Sequence, residues 1–134
     1  MQHPIPPGFE PIDLGPGFAR TVGPVYLRQE TCALGFRVEE HHLNPAGFCN
    51  GGAMATFADM QIVAVIAGAG TTLPHAPTIS LSIDYLNTAP CGAWVEAAAV
   101  LLRKTSTMVF TQALITVDGA PVARTHAIYR HYGT

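Results

Sequence analysis

The feature that most constrains this chain is the segment GGAMATFADMQIVAVIAGAG, residues 51–70, a run of Ala, Met, Ile and Val closed by glycines at 68 and 70. Its length and content predict one long helix from Gly51 to about Gly68, with Asn50 as the N-cap. Nearly every face of that helix is apolar, which marks a helix covered all round rather than one lying on a surface. Something must wrap it. One residue interrupts the pattern: a carboxylate at Asp59 would be costly to bury unpaired, so it marks a capped, hydrogen-bonded or functional group.

The rest of the chain reads as the wrapper. Val25 to Glu30 and Cys32 to Glu40 have the alternating, β-branched character of two strands joined by a tight turn. HHLNPAGFC follows as a loop, punctuated by Asn44-Pro45 and Gly47. After the helix, TISLSIDYL alternates cleanly, with Ile79, Leu81, Ile83 and Tyr85 on one face and Thr78, Ser80, Ser82 and Asp84 on the other. WVEAAAVLLRKT, TMVFTQALITV and PVARTHAIYRHY are three further strands, the last two joined at Asp118-Gly119, a strong hairpin signal. Two strands, one helix and four strands make an α+β domain with a helix against an antiparallel sheet. Residues 1–23, dense in Pro and Gly, are expected to form an irregular arm ahead of a domain spanning 24–134.

Composition narrows the function classes. A chain of 134 residues is one domain, able to bury roughly two-thirds of the surface it exposes when unfolded. Charged residues are only 12% against 49% hydrophobic, so some apolar surface is expected to be covered by a partner chain. The net charge of -2 supplies no basic field for nucleic acid or for an anionic membrane. Cys32, Cys49 and Cys91 are odd in number and without CxxC spacing, which indicates neither a disulfide framework nor a zinc site. The N-terminus lacks the features of a signal peptide, and the apolar run from Met60 to Gly70 is about half of a membrane span of ~20 residues. A cytoplasmic location is the expectation.

VEEHHLNPAGFCNGGAMATFADMQIVAV resembles the hotdog-fold acyl-CoA thioesterases of the phenylacetate-pathway and thioesterase-superfamily-member type, whose signature reads roughly N-x-x-G-x-x-H-G-G before a helix bearing an acid. The resemblance covers about residues 24–132. It implies a curved antiparallel sheet wrapped around one long central helix, a homodimer or homotetramer with active sites at the subunit interface, an acyl-CoA substrate and no cofactor. The roles it implies fall on Asp59 as nucleophile or general base, on the Gly51 amide as receiver of the thioester carbonyl, and on Asn44 as its helper. It also places Asn50, Gly52 and Thr78 at the substrate, Thr78 orienting the attacking water, although simple alternation puts Thr78 on the face opposite Ile79. Asn50 departs from the pattern: it stands where many members carry His, and an amide cannot carry a proton.

The physics of the helix agrees with part of this. A helix N-terminus offers unpaired N–H groups and a partial positive charge that suit an oxyanion. Gly51 and Asp59 are eight residues apart, about 12 Å along a helix, so one thioester cannot touch both and a second subunit must supply one of them. Arg103 and Lys104, followed by Thr105 and Ser106, form a set able to contact the phosphates of coenzyme A, or a solvated strand end. Phe48, Met54, Phe57 and Met60 are candidates to line an acyl pocket. His41 and His42 would point to opposite faces of a strand and are not a metal pair; His75, His126 and His131 are scattered, and no metal site is expected. Cys49 would feel a lowered pKa if exposed at the helix start. A non-catalytic acyl-CoA-binding hotdog domain, a dehydratase of that fold and a purely structural subunit are the alternatives.

Overall fold

The computed structural model describes residues 4–69 and 76–132; the glycine at 70 and the histidine at 75 lie outside the described residues. The strands are β1 (Glu10–Pro11), β2 (Tyr26–Arg28), β3 (Ala33–Arg37), β4 (Thr78–Tyr85), β5 (Trp94–Lys104), β6 (Met108–Val117) and β7 (Ala120–Arg130). They form one antiparallel sheet in the order β1-β2-β3-β5-β6-β7-β4, so β4 is an edge strand paired only with β7. Two helices, α1 (Gly51–Asp59) and α2 (Gln61–Ala69), lie across one face of it.

Period-two patterning explains that face. In β6, Val109, Thr111, Ala113 and Ile115 are buried while Gln112 and Leu114 are exposed. Ala113 and Ile115 pack with Leu34, Phe36, Val95 and Ala97 against Met54, Phe57, Ala58, Ala64 and Val65 of the helices, and Val109 packs with Ala127 and Tyr129. Phe36 anchors the contact, its ring edge-on to Phe57 at 4.7 Å and to His42 at 4.9 Å. The β6–β7 hairpin closes through Asp118 and Gly119 at φ 50° and 81°, the pair of positive angles that a two-residue turn between twisted strands requires.

Four expectations change. Pro and Gly density suggested an unpacked arm, yet residues 10–11 add a strand to β2 and Phe9 and Val22 are buried, because a few apolar residues between turns suffice to dock on Trp94 and the main core. The helix has the extent that the sequence predicts, but the expectation that no apolar run reaches the length of a membrane span changes. Gly51–Gly68 is long and apolar enough to cross a bilayer by composition, with a mean hydropathy of 1.3, but its inner side is packed on the sheet. Nor is it covered all round: Gly51, Gly52 and Val63 are exposed on its outer side.

Finally, the helix is not continuous. At Met60 the ladder tightens, Val63 N–H reaching the Met60 carbonyl at 2.9 Å, three residues back instead of four. Side chains occupy the gap: Gln61 Nε2 donates to the Ala58 carbonyl at 2.9 Å, and the Tyr129 hydroxyl donates to the Asp59 carbonyl at 2.7 Å. Insertion of side-chain groups into the ladder is a recognised cause of such breaks.

Candidate active site

The loop from His42 to Asn50 delivers the chain into α1. It is folded on itself, with Leu43 bridged to Cys49 and Asn50 N–H bonded to the His42 carbonyl at 2.7 Å. Asn44 builds this loop: its Oδ1 accepts from Ala46 N–H at 3.0 Å and Phe48 N–H at 3.1 Å. The expected adjacency of two histidines on a strand does not occur. They sit in a 3-10 turn, Glu40–His42, with ring centroids 3.9 Å apart, and bond the carbonyls of Gly23 and Val22, tying down the arm.

At the start of α1, Asn50 Oδ1 accepts from Gly52 N–H at 2.7 Å and Ala53 N–H at 3.3 Å. Capping thus consumes the second and third orphan donors and leaves the first: among the described residues the Gly51 N–H has no acceptor. The two glycines differ in what the fold asks of them. A methyl at Gly52 would come within 3.0 Å of the capping oxygen, whereas at Gly51 it would rest at ordinary contact, 3.5 Å from the Tyr85 ring and hydroxyl. Packing within the chain therefore accounts for Gly52 and not for Gly51. Tyr85, at the end of β4, holds this turn by donating its hydroxyl to the Gly51 carbonyl. Burial pushes the Cys49 thiol up to about 11, against the lowering expected of an exposed position, so it stays protonated and is no nucleophile at neutral pH.

Asp59 closes α1, about 12 Å from Gly51 along the axis. It is half-buried on the outer side of the helix, in line with Ala55 one turn before it. Thr78 Oγ1 donates to its Oδ1 at 2.8 Å. Simple alternation misplaces Thr78 because β4 is irregular at that point: Thr78 opposes Tyr129 and Ser80 opposes Ile128, so the strand carries a bulge between them that re-aims the threonine.

Other candidates lie elsewhere. Arg103 and Lys104 are exposed at the end of β5, and among the described residues no hydrogen bond or ion pair joins them to Gly51 or Asp59. Met54, Phe57 and Met60 are buried in the core rather than lining an open pocket; only Phe48 is exposed, at 36%. A cleft of about 540 Å³ lies on the opposite face of the sheet beside Val100, Leu114, Arg124 and His126. Tyr85, Tyr129 and Gln61 were missed in the sequence, where Gln61 alone gave a signal as a polar residue inside the apolar helix.

The arrangement offers an unpaired helix N-terminal amide and an oriented carboxylate, the complement of an acyl-transfer reaction. Comparisons with known proteins agree with that chemistry. The sequence model of the thioesterase superfamily matches residues 46–123. A Pseudomonas aeruginosa protein named a "putative esterase" is 26% identical over 112 residues, 81% of this chain and 84% of that protein. Zebra fish thioesterase superfamily member 2 superimposes with a TM-score of 0.78 at 25% identity, over 89% of both chains. A hypothetical thioesterase protein from Streptococcus pneumoniae, solved with coenzyme A, superimposes with a TM-score of 0.68 at 21% identity, over 82% of this chain and 80% of that one.

Proposed function

This chain belongs to the thioesterase superfamily and has its hotdog fold, and from that premise we propose that it hydrolyses an acyl-CoA thioester to the free acid and coenzyme A. The observation that carries the reading is the Asp59 carboxylate, held by Thr78 at 2.8 Å on the outer side of the helix, in a chain whose Gly51 amide is left without an acceptor. The coenzyme A bound by the Streptococcus pneumoniae protein supports acyl-CoA as the thioester.

The chemistry follows from the two ends of α1. The thioester carbonyl sits at the Gly51 amide, where helix-terminal charge stabilises the oxyanion of the tetrahedral intermediate. The Asp59 carboxylate of the partner subunit takes a proton from water as the hydroxyl attacks the carbonyl carbon, or attacks that carbon directly. On the first route, collapse of the intermediate breaks the C–S bond and the coenzyme A thiolate takes the proton from Asp59; on the second, collapse leaves the acyl group as an anhydride on Asp59, which water hydrolyses, and the thiolate takes that water's proton. The ~12 Å between Gly51 and Asp59 within one chain is what calls for the partner. The unpaired edge of β4 and the exposed Ile79 and Val63 support a homo-oligomer joined along that side.

The test is thiol release from short, medium, long and aryl acyl-CoAs by wild type and Asp59→Asn. Turnover by wild type, reduced about 100-fold or more in the variant with folding retained, is expected. Undiminished turnover by Asp59→Asn would remove Asp59 from the reaction; saturable binding without hydrolysis by either protein would make this an acyl-CoA-binding domain.

A further inference from the structure

Asp59 is gripped twice from the sheet. Thr78 and Tyr129 are directly opposed on β4 and β7; the first bonds the Asp59 side chain and the second bonds its backbone carbonyl at 2.7 Å. Tyr129 is 1% exposed, so its hydroxyl has no water to bond instead. A second, buried polar set centred on Gln61 meets the same turn of the helix. Thr111 Oγ1 donates to Gln61 Oε1 at 2.6 Å, Gln61 Nε2 donates to the Ala58 carbonyl at 2.9 Å and to Thr125 Oγ1 at 3.3 Å, and Thr125 Oγ1 donates to the Ser82 carbonyl at 2.8 Å. A core of this kind does not need four polar groups for packing, and hydrogen-bonded networks in it specify one geometry.

The bonds to the Ala58 and Asp59 carbonyls meet at the interruption of the helix at Met60, which follows Asp59 directly. A continuous helix would bond the Asp59 carbonyl to its own ladder. The break hands that carbonyl to Tyr129, so the plane of the Asp59 peptide, and with it the direction of the carboxylate, is set by β7. We propose that Tyr129, with Gln61 holding the adjacent Ala58 carbonyl, is a positioning residue that aims the Asp59 carboxylate at the thioester. The inference rests on the assignment of Asp59 as the reacting carboxylate. The hydroxyl is a dependable donor: burial first, then the charge of Asp59 and a hydrogen bond to it, push its ionisation well above the ordinary phenol range.

Tyr129→Phe removes the hydroxyl and keeps the ring. Assayed with acyl-CoA well below its melting temperature, the variant is expected to lose about tenfold in kcat at unchanged KM, the equivalent of one hydrogen bond to a charged or orienting group. In an Asp59→Asn background the same substitution should cause no further loss, because it acts through Asp59. Wild-type kcat per folded molecule, or an equal loss in both backgrounds, would overturn the proposal. Should Tyr129→Phe not fold, Thr111→Val decides in the same way, since it frees the Gln61 side chain that holds the Ala58 carbonyl of the same turn. An inactive Asp59→Asn beside a fully active Tyr129→Phe would sink this inference alone; an active Asp59→Asn would sink the assignment beneath it.

Discussion

Thr78 Oγ1 donates a 2.8 Å hydrogen bond to Asp59 Oδ1, joining the first residue of β4 to the last residue of α1. The bond fixes one carboxylate oxygen, and the proposed mechanism uses the other. Thr78→Val keeps the shape and β-branching of the side chain but removes the donor, so the strand should survive while the carboxylate loses its hold. Steady-state kinetics should show kcat reduced about tenfold, with a melting temperature near that of wild type. An unchanged kcat would mean that the bond is structural only.

The same pair shows where the sequence could be read and where it could not. The helix, the four C-terminal strands and the Asp118-Gly119 turn were all readable, because periodicity and turn chemistry are local. The aim of Thr78 was not, because a bulge that sets Thr78 against Tyr129 and Ser80 against Ile128 depends on the partner strand. Likewise, the Asp59 carbonyl beside the break at Met60 is bonded by Tyr129, 70 residues away in the chain, a contact no local pattern encodes. Asn50 was readable as a cap, but that capping spares the Gly51 amide follows only from which donors its oxygen reaches.

His42 gives the fold a pH dependence of definite sign. Its Nδ1 accepts from Glu39 N–H at 2.9 Å and its Nε2 faces the Val22 carbonyl, so the neutral ring is the form that fits. Burial is the main cause that lowers its pKa from 6.5; the Val22 carbonyl and Glu39 oppose the shift and His41 adds to it. With the folded value below the unfolded one, this stability is present above pH ~6.5 and lost as pH falls through the folded value, at up to about 1.4 kcal/mol per pH unit. Urea midpoints measured from pH 7.5 downwards should decline, and His42→Gln should start lower and lack this part of the slope. A parallel decline in the two proteins would exclude His42 as its source.

Asn50→Asp separates stability from activity. The carboxylate can still cap Gly52 and Ala53, and its charge at a helix N-terminus adds about 0.3–1 kcal/mol. The same charge would stand beside the Gly51 amide, where the substrate oxygen becomes negative, and should lower kcat about tenfold or more. Melting temperature should hold or rise as turnover falls, whereas Asn50→Ala should lose about 1 kcal/mol of stability. Full activity in Asn50→Asp would place the oxyanion elsewhere.

Gly51→Ala asks whether the missing side chain serves the fold or the substrate. A methyl there would meet the Tyr85 ring and hydroxyl at 3.5 Å, an ordinary contact, and alanine is the better helix former. Stability should therefore be unchanged or slightly higher. A thioester carbonyl approaching the Gly51 amide would meet that methyl, and kcat/KM should fall about 100-fold or more, as when an oxyanion donor is lost. Gly52→Ala should behave in the opposite sense, because its methyl would lie 3.0 Å from Asn50 Oδ1 and disturb the cap: the melting temperature should drop. Thermal melts and acyl-CoA assays on both variants check the contrast. Undiminished turnover by a stable Gly51→Ala would show that no substrate needs the space beside this amide.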